Sequence, residues 1–316
     1  MSRGFDRAAL VASSGSRPNP PYGLDPELTF YCPQENLDAL DLPVVSSFLQ
    51  WAEEEYEPPA AAGPAVLLLL PCQKVKPYAL SPEHRSINRS LLAAGYEPQA
   101  RGDWPEALDD AAEAALLSNA PLEGNGLRID RAVISEPFGF VPYEAIYRWR
   151  GELSPCAAYD DPGLFEHRGL ACTWRPDCTS IAPKSGNHWR WGDNERAAFV
   201  ETHNRLSASM AQALSRIAPR YEAIFAYVAP KLTHRSFVVD REGRSAVGLP
   251  NSRRIAGDNR DLVGVNDIEP GLVRVVPDPG ELEIMREMLG GRLPAKLLGH
   301  SMSLETLNRV IESSRG

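Results

Sequence analysis

Basic charge, cysteine and long apolar runs are all scarce in this chain. Its 316 residues carry 33 Lys and Arg against 42 Asp and Glu, a formal net charge of −9. Such a balance argues against a surface coated with cations for gripping long nucleic acid, and leaves a local basic groove open. Five cysteines are an odd, thin set, which argues against a disulfide framework. No apolar run approaches the roughly 20 residues that span a bilayer. The short apolar patch near the N-terminus is too weak for a secretory signal. These absences point to a cytoplasmic protein with no membrane partner. Internal repeats and coiled-coil heptads are lacking too.

What is present is ordinary globular composition, 43% hydrophobic and 24% charged, enough for one large or two modest domains. The 24 glycines and 28 prolines favour many loops between elements. Residues 1–36, rich in Gly, Ser and Pro, read as a poorly ordered arm. Residues 43–56 read as a helix opened by Pro43. Val66–Leu70 is an unbroken apolar run ending at Pro71, the pattern of a strand buried on both faces. Helices are expected over 85–94 and 105–120. A strand over 127–134 comes next, then a Gly/Pro loop to 142. Residues 151–192 are irregular. A long helix spans about 194–217, a strand 221–229, a hairpin about 236–248 and a strand 272–276, before two closing helices. Alternating strands and helices predict an α/β fold, a three-layer sandwich around a mainly parallel sheet.

In such sheets ligands bind beyond the carboxyl ends of the strands. Two reactive clusters fall there. Cys72, Lys74, Lys76, Tyr78, Ser81 and His84 follow the first strand, stiffened by Pro71 and Pro77. Ser135 and Glu136 follow Val133 and Ile134. Alone, Cys72 would read as a small buried hydrophobe and Lys76 as a solvated lysine. Ser135 and Glu136 read equally well as pocket lining or turn chemistry. Asp160, ahead of Asp161-Pro162, fits a turn former. Cys156, Cys172, Cys178 and His188 could bind a structural zinc, although they lack a paired CxxC; the alternative is loosely packed loop cysteines. Trp174, Trp189 and Trp191, with Arg175 and Arg190, suit either base stacking or pinning of a loop.

Pro71-Cys72, three residues, Lys76-Pro77-Tyr78, two residues, Ser81, two residues and His84 together resemble the core motif of the archaeosine synthase family. Glu54, Tyr56 and Pro58 look like that family's approach helix. Glu136-Pro137-Phe138-Gly139-Phe140-Val141-Pro142 is similar to its second loop, Pro-Leu-Gly-Val-Val-Pro. Tyr159-Asp160-Asp161-Pro162 is similar to its Tyr-Asp-x-Pro. The likeness runs from about residue 40 to about 230. It implies a core resembling the uracil-DNA glycosylase fold over 37–230, interrupted by an insertion near 164–188, with 231–316 as an extension packed on it. It also implies an enzyme that adds an amine across the nitrile of 7-cyano-7-deazaguanine, giving an amidine-type product. The family's transglycosylase-like and RNA-binding domains have no counterpart here, and Gln73 replaces a small residue. The carrier is therefore open: free base, nucleoside, tRNA, or phage or bacterial DNA. A separate transglycosylase is then an expected partner, with lysine or another amine as donor.

In that chemistry a thiolate attacks the nitrile and an amine displaces the sulfur. Cys72, Lys76, Ser81 and His84 are the expected catalytic residues. Lysine or histidine neighbours would lower the Cys72 pKa, or a neutral Lys76 would supply or activate the amine. Pro71, Tyr78, Ser135, Glu136, Gly139 and Asp160 are the expected substrate-binding set. No cofactor is required. The alternatives are a hydrolase or decarboxylase acting on the same substituent, and a non-catalytic module that binds the modified base.

Overall fold

The computed structural model describes residues 6–104, 113–162, 171–181 and 189–314. In chain order the strands are β1 (Ala65–Pro71), β2 (Glu97–Pro98), β3 (Leu122–Gly124), β4 (Leu127–Ser135), β5 (Gly139–Pro142), β6 (Arg148–Trp149), β7 (Glu152–Leu153), β8 (Ala223–Tyr227), β9 (Ser252–Ile255), β10 (Asp258–Asp261) and β11 (Arg274–Val276). Among the described residues the helices are α1 (Arg7–Ser14), α2 (Pro33–Ala39), α3 (Pro43–Gln50), α4 (Pro82–Ala93), α5 (Ala114–Leu117), α6 (Asp193–Ile217), α7 (Thr233–Val238), α8 (Arg241–Ala246), α9 (Val265–Ile268), α10 (Pro279–Met288) and α11 (Ser301–Glu312).

The central sheet runs β11-β8-β1-β4-β3-β2, with β5 folded back on β4. The strand β1 pairs in parallel with both neighbours, Leu70 opposite Val133 on β4 and Leu68 opposite Phe225 on β8. A strand flanked on both sides and covered on both faces has no wet face, so Val66–Leu70 can be wholly apolar. All five are buried, and each such side chain contributes about 1.5–3 kcal/mol relative to exposure. One set of helices joins α4 with α5 and α11; another joins α2 with α6. The result is a mixed α/β architecture with a mostly parallel sheet and flanking helices, compatible with a three-layer sandwich.

Several expectations need correction. The N-terminal stretch is not a loose arm. Asp6 caps α1, its carboxylate accepting from Ala8 N–H at 3.0 Å. Beyond it Tyr22, Leu28, Phe30, Tyr31 and Cys32 are buried. Their aromatic surface outweighs the turn-rich composition that suggested disorder. The expected hairpin at 236–248 is two short helices, α7 and α8, the second capped by Asp240. Residues beyond 230 do more than pack on the core, because β11 extends the sheet in parallel with β8. The helix expected over 105–120 is seen as α5, and 105–112 lie outside the described residues. After α3 the chain continues as one π turn, Trp51–Glu55, in which Tyr56 N–H reaches the Trp51 carbonyl at 2.8 Å. No helix among the described residues is long and apolar enough to cross a membrane.

Candidate functional site

Strands β1 and β4 run side by side and end together, so the loops leaving them share one edge of the sheet. Cys72 N–H still donates to the Ile134 carbonyl at 3.0 Å. Cys72 therefore leaves the ladder directly beside Ser135 and Glu136. The Glu136 backbone N–H and the Tyr159 hydroxyl both favour a negative charge on the Cys72 sulfur. The two reactive clusters are thus one site.

The nearest side-chain partner of the sulfur comes from elsewhere. His234, in the first turn of α7, places Nε2 3.1 Å from Cys72 Sγ. His234 is buried, and its Nδ1 has no hydrogen-bond partner among the described residues. Burial depresses its pKa, opposed by the carboxyls of Glu136, Asp161 and Glu83. Burial likewise pushes the Cys72 thiol up to about 12, with Asp161 adding to the rise and Lys76 opposing it. Thiol and imidazole are both neutral in the resting protein, rather than a thiolate–imidazolium pair.

Two carboxyls face this pair. Burial raises Glu136 to about 8, against the pull of His234. Asp161 rises to about 6 by burial, against the pull of Lys76. At neutral pH Glu136 is mostly a protonated acid that can donate a hydrogen bond. Lys76 is buried, with Nζ 4.1 Å from the Tyr159 ring centroid and 4.9 Å from that of Tyr78, and it donates to the Gln73 carbonyl. Tyr78, Ser135 and Tyr159 close a buried triangle of hydroxyls, with 2.9–3.0 Å along each side. The triangle gives the floor of the site a fixed geometry and several exchangeable protons. Gln73 donates to Glu83, which ties the loop to the first turn of α4.

The remaining motif residues build the frame. Ser81 caps α4, its Oγ accepting from His84 N–H at 3.1 Å. His84 is buried between the Tyr78 and Tyr143 rings. Its Nε2 donates to the Pro71 carbonyl at 2.9 Å, and its Nδ1 accepts from the Tyr143 hydroxyl at 3.1 Å. A carbonyl only accepts, so this tautomer is fixed. Burial lowers His84 to about 4 and keeps it neutral. Both ring nitrogens are occupied, so His84, together with the Ser81 cap, pins the end of β1. Gly139 sits opposite Ser135 in the β4–β5 turn at φ +61°, where a Cβ would crowd Leu49. Asp160 pairs with Arg17 at 2.9 Å and anchors the N-terminal segment. That segment also touches the site loop, since Asn19 N–H donates to the Lys76 carbonyl at 3.0 Å.

Among the described residues, Cys156, Cys172 and Cys178 of the expected zinc set do not come together as a metal-binding group. Cys172 is joined to Cys32 in a disulfide, a single bond rather than the framework that the cysteine count argued against. Cys156 is buried in the core and Cys178 is half-exposed. His188 lies outside the described residues. Cys32, Glu35 and Cys172 do cluster. The two sulfurs are bonded to each other, however, and Glu35 already accepts from Arg7, Trp174 and the Tyr31 N–H. The donors of the Cys32, Glu35 and Cys172 group are thus already engaged with partners within the protein. Trp174 lies edge-on to Tyr31, and Trp191 is buried against Phe199. Both pin their loop to the body of the protein.

Reading the sequence missed His234, Asp161 and Glu83. Asp161 stood beside Asp160 in a motif already singled out. His234 carries no local signal, because 162 residues separate it from Cys72. No family model, no curated protein and no solved structure matches this chain.

Proposed function

We propose that this chain is an enzyme that adds an amine to the nitrile of 7-cyano-7-deazaguanine to give an amidine. The observation that carries the reading is the contact between Cys72 Sγ and His234 Nε2 at the carboxyl edge of a parallel sheet. The motif likeness to archaeosine synthases supplies the substrate, and the resemblance of their core to uracil-DNA glycosylase belongs to the same proposal.

His234 Nε2 takes the thiol proton as Cys72 sulfur bonds to the nitrile carbon. The C≡N bond loses one π component, and the proton passes from His234 to the nitrogen. The product is a neutral thioimidate. An amine, lysine being the expected donor, then adds to the same carbon. Loss of the C–S bond returns the proton to sulfur and leaves the amidine. Because the thiol is neutral at rest, attack and proton removal are coupled, which protects Cys72 from indiscriminate electrophiles. The Glu136 backbone N–H steadies the charge that develops on sulfur. The protonated Glu136 carboxyl offers a donor and an acceptor to the heterocycle, and the Tyr78–Ser135–Tyr159 hydroxyls supply further donors.

Mass spectrometry of the cyano base after incubation, with and without lysine, tests the reading. A mass gain equal to the amine supports it. Addition of water makes the chain a nitrile hydrolase, and binding without change makes it a recognition module.

A further inference from the structure

A second site lies on the same sheet edge, immediately after β8. Here a cleft of about 470 Å³ is lined by Pro230, Lys231, Leu232, Arg286, Arg292 and Leu293, among others. None of its lining residues is acidic, in a chain whose net charge is −9. Arg286 shares its charge with Glu283. Lys231 and Arg292 make no ion pair among the described residues, and both are exposed. The cleft therefore concentrates positive potential beside an apolar wall, a combination suited to an anionic group attached to a ring or sugar.

Its position relates it to Cys72. Lys231 precedes His234 by three residues, a chain length that spans at most about 11 Å even when extended. Ala229 and Pro230 follow the strand paired in parallel with β1, so the cleft and Cys72 both lie beyond the same strand ends.

We infer that this cleft binds the phosphate of a nucleotide whose base enters the Cys72 site, so that the substrate is a base already carried on a nucleotide rather than the free base. The choice of base rests on the function proposed above; the anion site does not.

Calorimetric titration of the full chain separates the two. The probes are the 7-cyano-7-deazaguanine nucleoside, its 5′-monophosphate and inorganic pyrophosphate, each at low and high salt. The monophosphate should bind about tenfold or more tightly than the nucleoside, as expected for charge-assisted contacts to two cations. Pyrophosphate should bind alone and weaken with salt. The K231E/R292E double variant, or K231Q/R292Q should the first fail to fold, should lose pyrophosphate binding and bring the nucleotide-to-nucleoside ratio to about one. Equal binding of nucleotide and nucleoside, or an advantage that survives charge reversal, would overturn the inference. Pyrophosphate binding that is abolished by the variants, with no binding of the nitrile nucleoside, would keep the anion site and sink the base chemistry. Short single-stranded DNA and RNA with a steeper salt dependence than the monophosphate would identify a polynucleotide as the source of the phosphate.

Discussion

Cys72 Sγ and His234 Nε2 stand 3.1 Å apart although one leaves the first strand of the sheet and the other opens a helix after β8. In the mechanism proposed above, this contact lets His234 act as the base for Cys72. His234→Ala should slow the reaction of Cys72 with the nitrile by about 10²–10⁴-fold, the usual contribution of a positioned base. Single-turnover kinetics would show it, and an unchanged rate would remove His234 from the mechanism. Raising the pH should partly rescue the variant, because a thiol near 12 gains thiolate as pH rises.

The pH dependence of stability has a definite sign. Burial raises Glu136 to about 8, Glu144 to about 7 and Asp161 to about 6. Each keeps its proton in the native state after the unfolded chain has lost it. Their contribution is present below the ordinary carboxylate pKa and is lost as pH rises through the folded value. His84 and His203 are depressed to about 4 and about 3 from an ordinary 6.5. Their contribution grows as pH rises and is complete above 6.5. Between pH 6.5 and 8 the carboxyls therefore dominate, and Tm should fall with rising pH. Glu136→Gln should flatten that slope; a slope as steep as wild type would refute the assignment.

His84→Ala should act on the frame. It leaves the Pro71 carbonyl and the Tyr143 hydroxyl without their buried partner. The expected loss is about 2–4 kcal/mol of stability in denaturant titration. A loss of activity without that loss of stability would instead make His84 a reacting group.

The parallel trio β1, β4 and β8 and the meeting of Cys72 with Glu136 were legible in the sequence. An apolar run such as Val66–Leu70 admits few placements, and strands that end on one edge bring their loops together. His234 was not legible, because α7 is six residues long, too short for a helical period to declare itself. Its β-branched and aromatic neighbours, Phe237, Val238 and Val239, favoured a strand by propensity, and tertiary packing overrode it. Composition misread the N-terminal segment for a similar reason. Burial of Tyr22, Phe30 and Tyr31 depends on partners such as Asp160 and Tyr147 that local sequence does not reveal. The roles of Ser81 and His84 were hidden because capping and tethering residues have the same side chains as catalytic ones.

The Cys32–Cys172 bond closes a long stretch of chain, its ends lying 140 positions apart in sequence. Reduction, or Cys32→Ser, should lower stability by about 2–4 kcal/mol. Thermal melts with and without reductant measure it, alongside a thiol count of three in the oxidised protein and five after reduction. Five free thiols in the non-reduced protein would exclude the bond.

The central claim is that Cys72 forms a covalent bond to the nitrile carbon. Intact-protein mass spectrometry after incubation with 7-cyano-7-deazaguanine, as base and as nucleotide, in the absence of amine tests it most directly. The expected result is a mass increase equal to one whole substrate, mapped to the peptide containing Cys72, lost in Cys72→Ala and discharged by lysine. Turnover in Cys72→Ala, or an adduct on another residue, would contradict it.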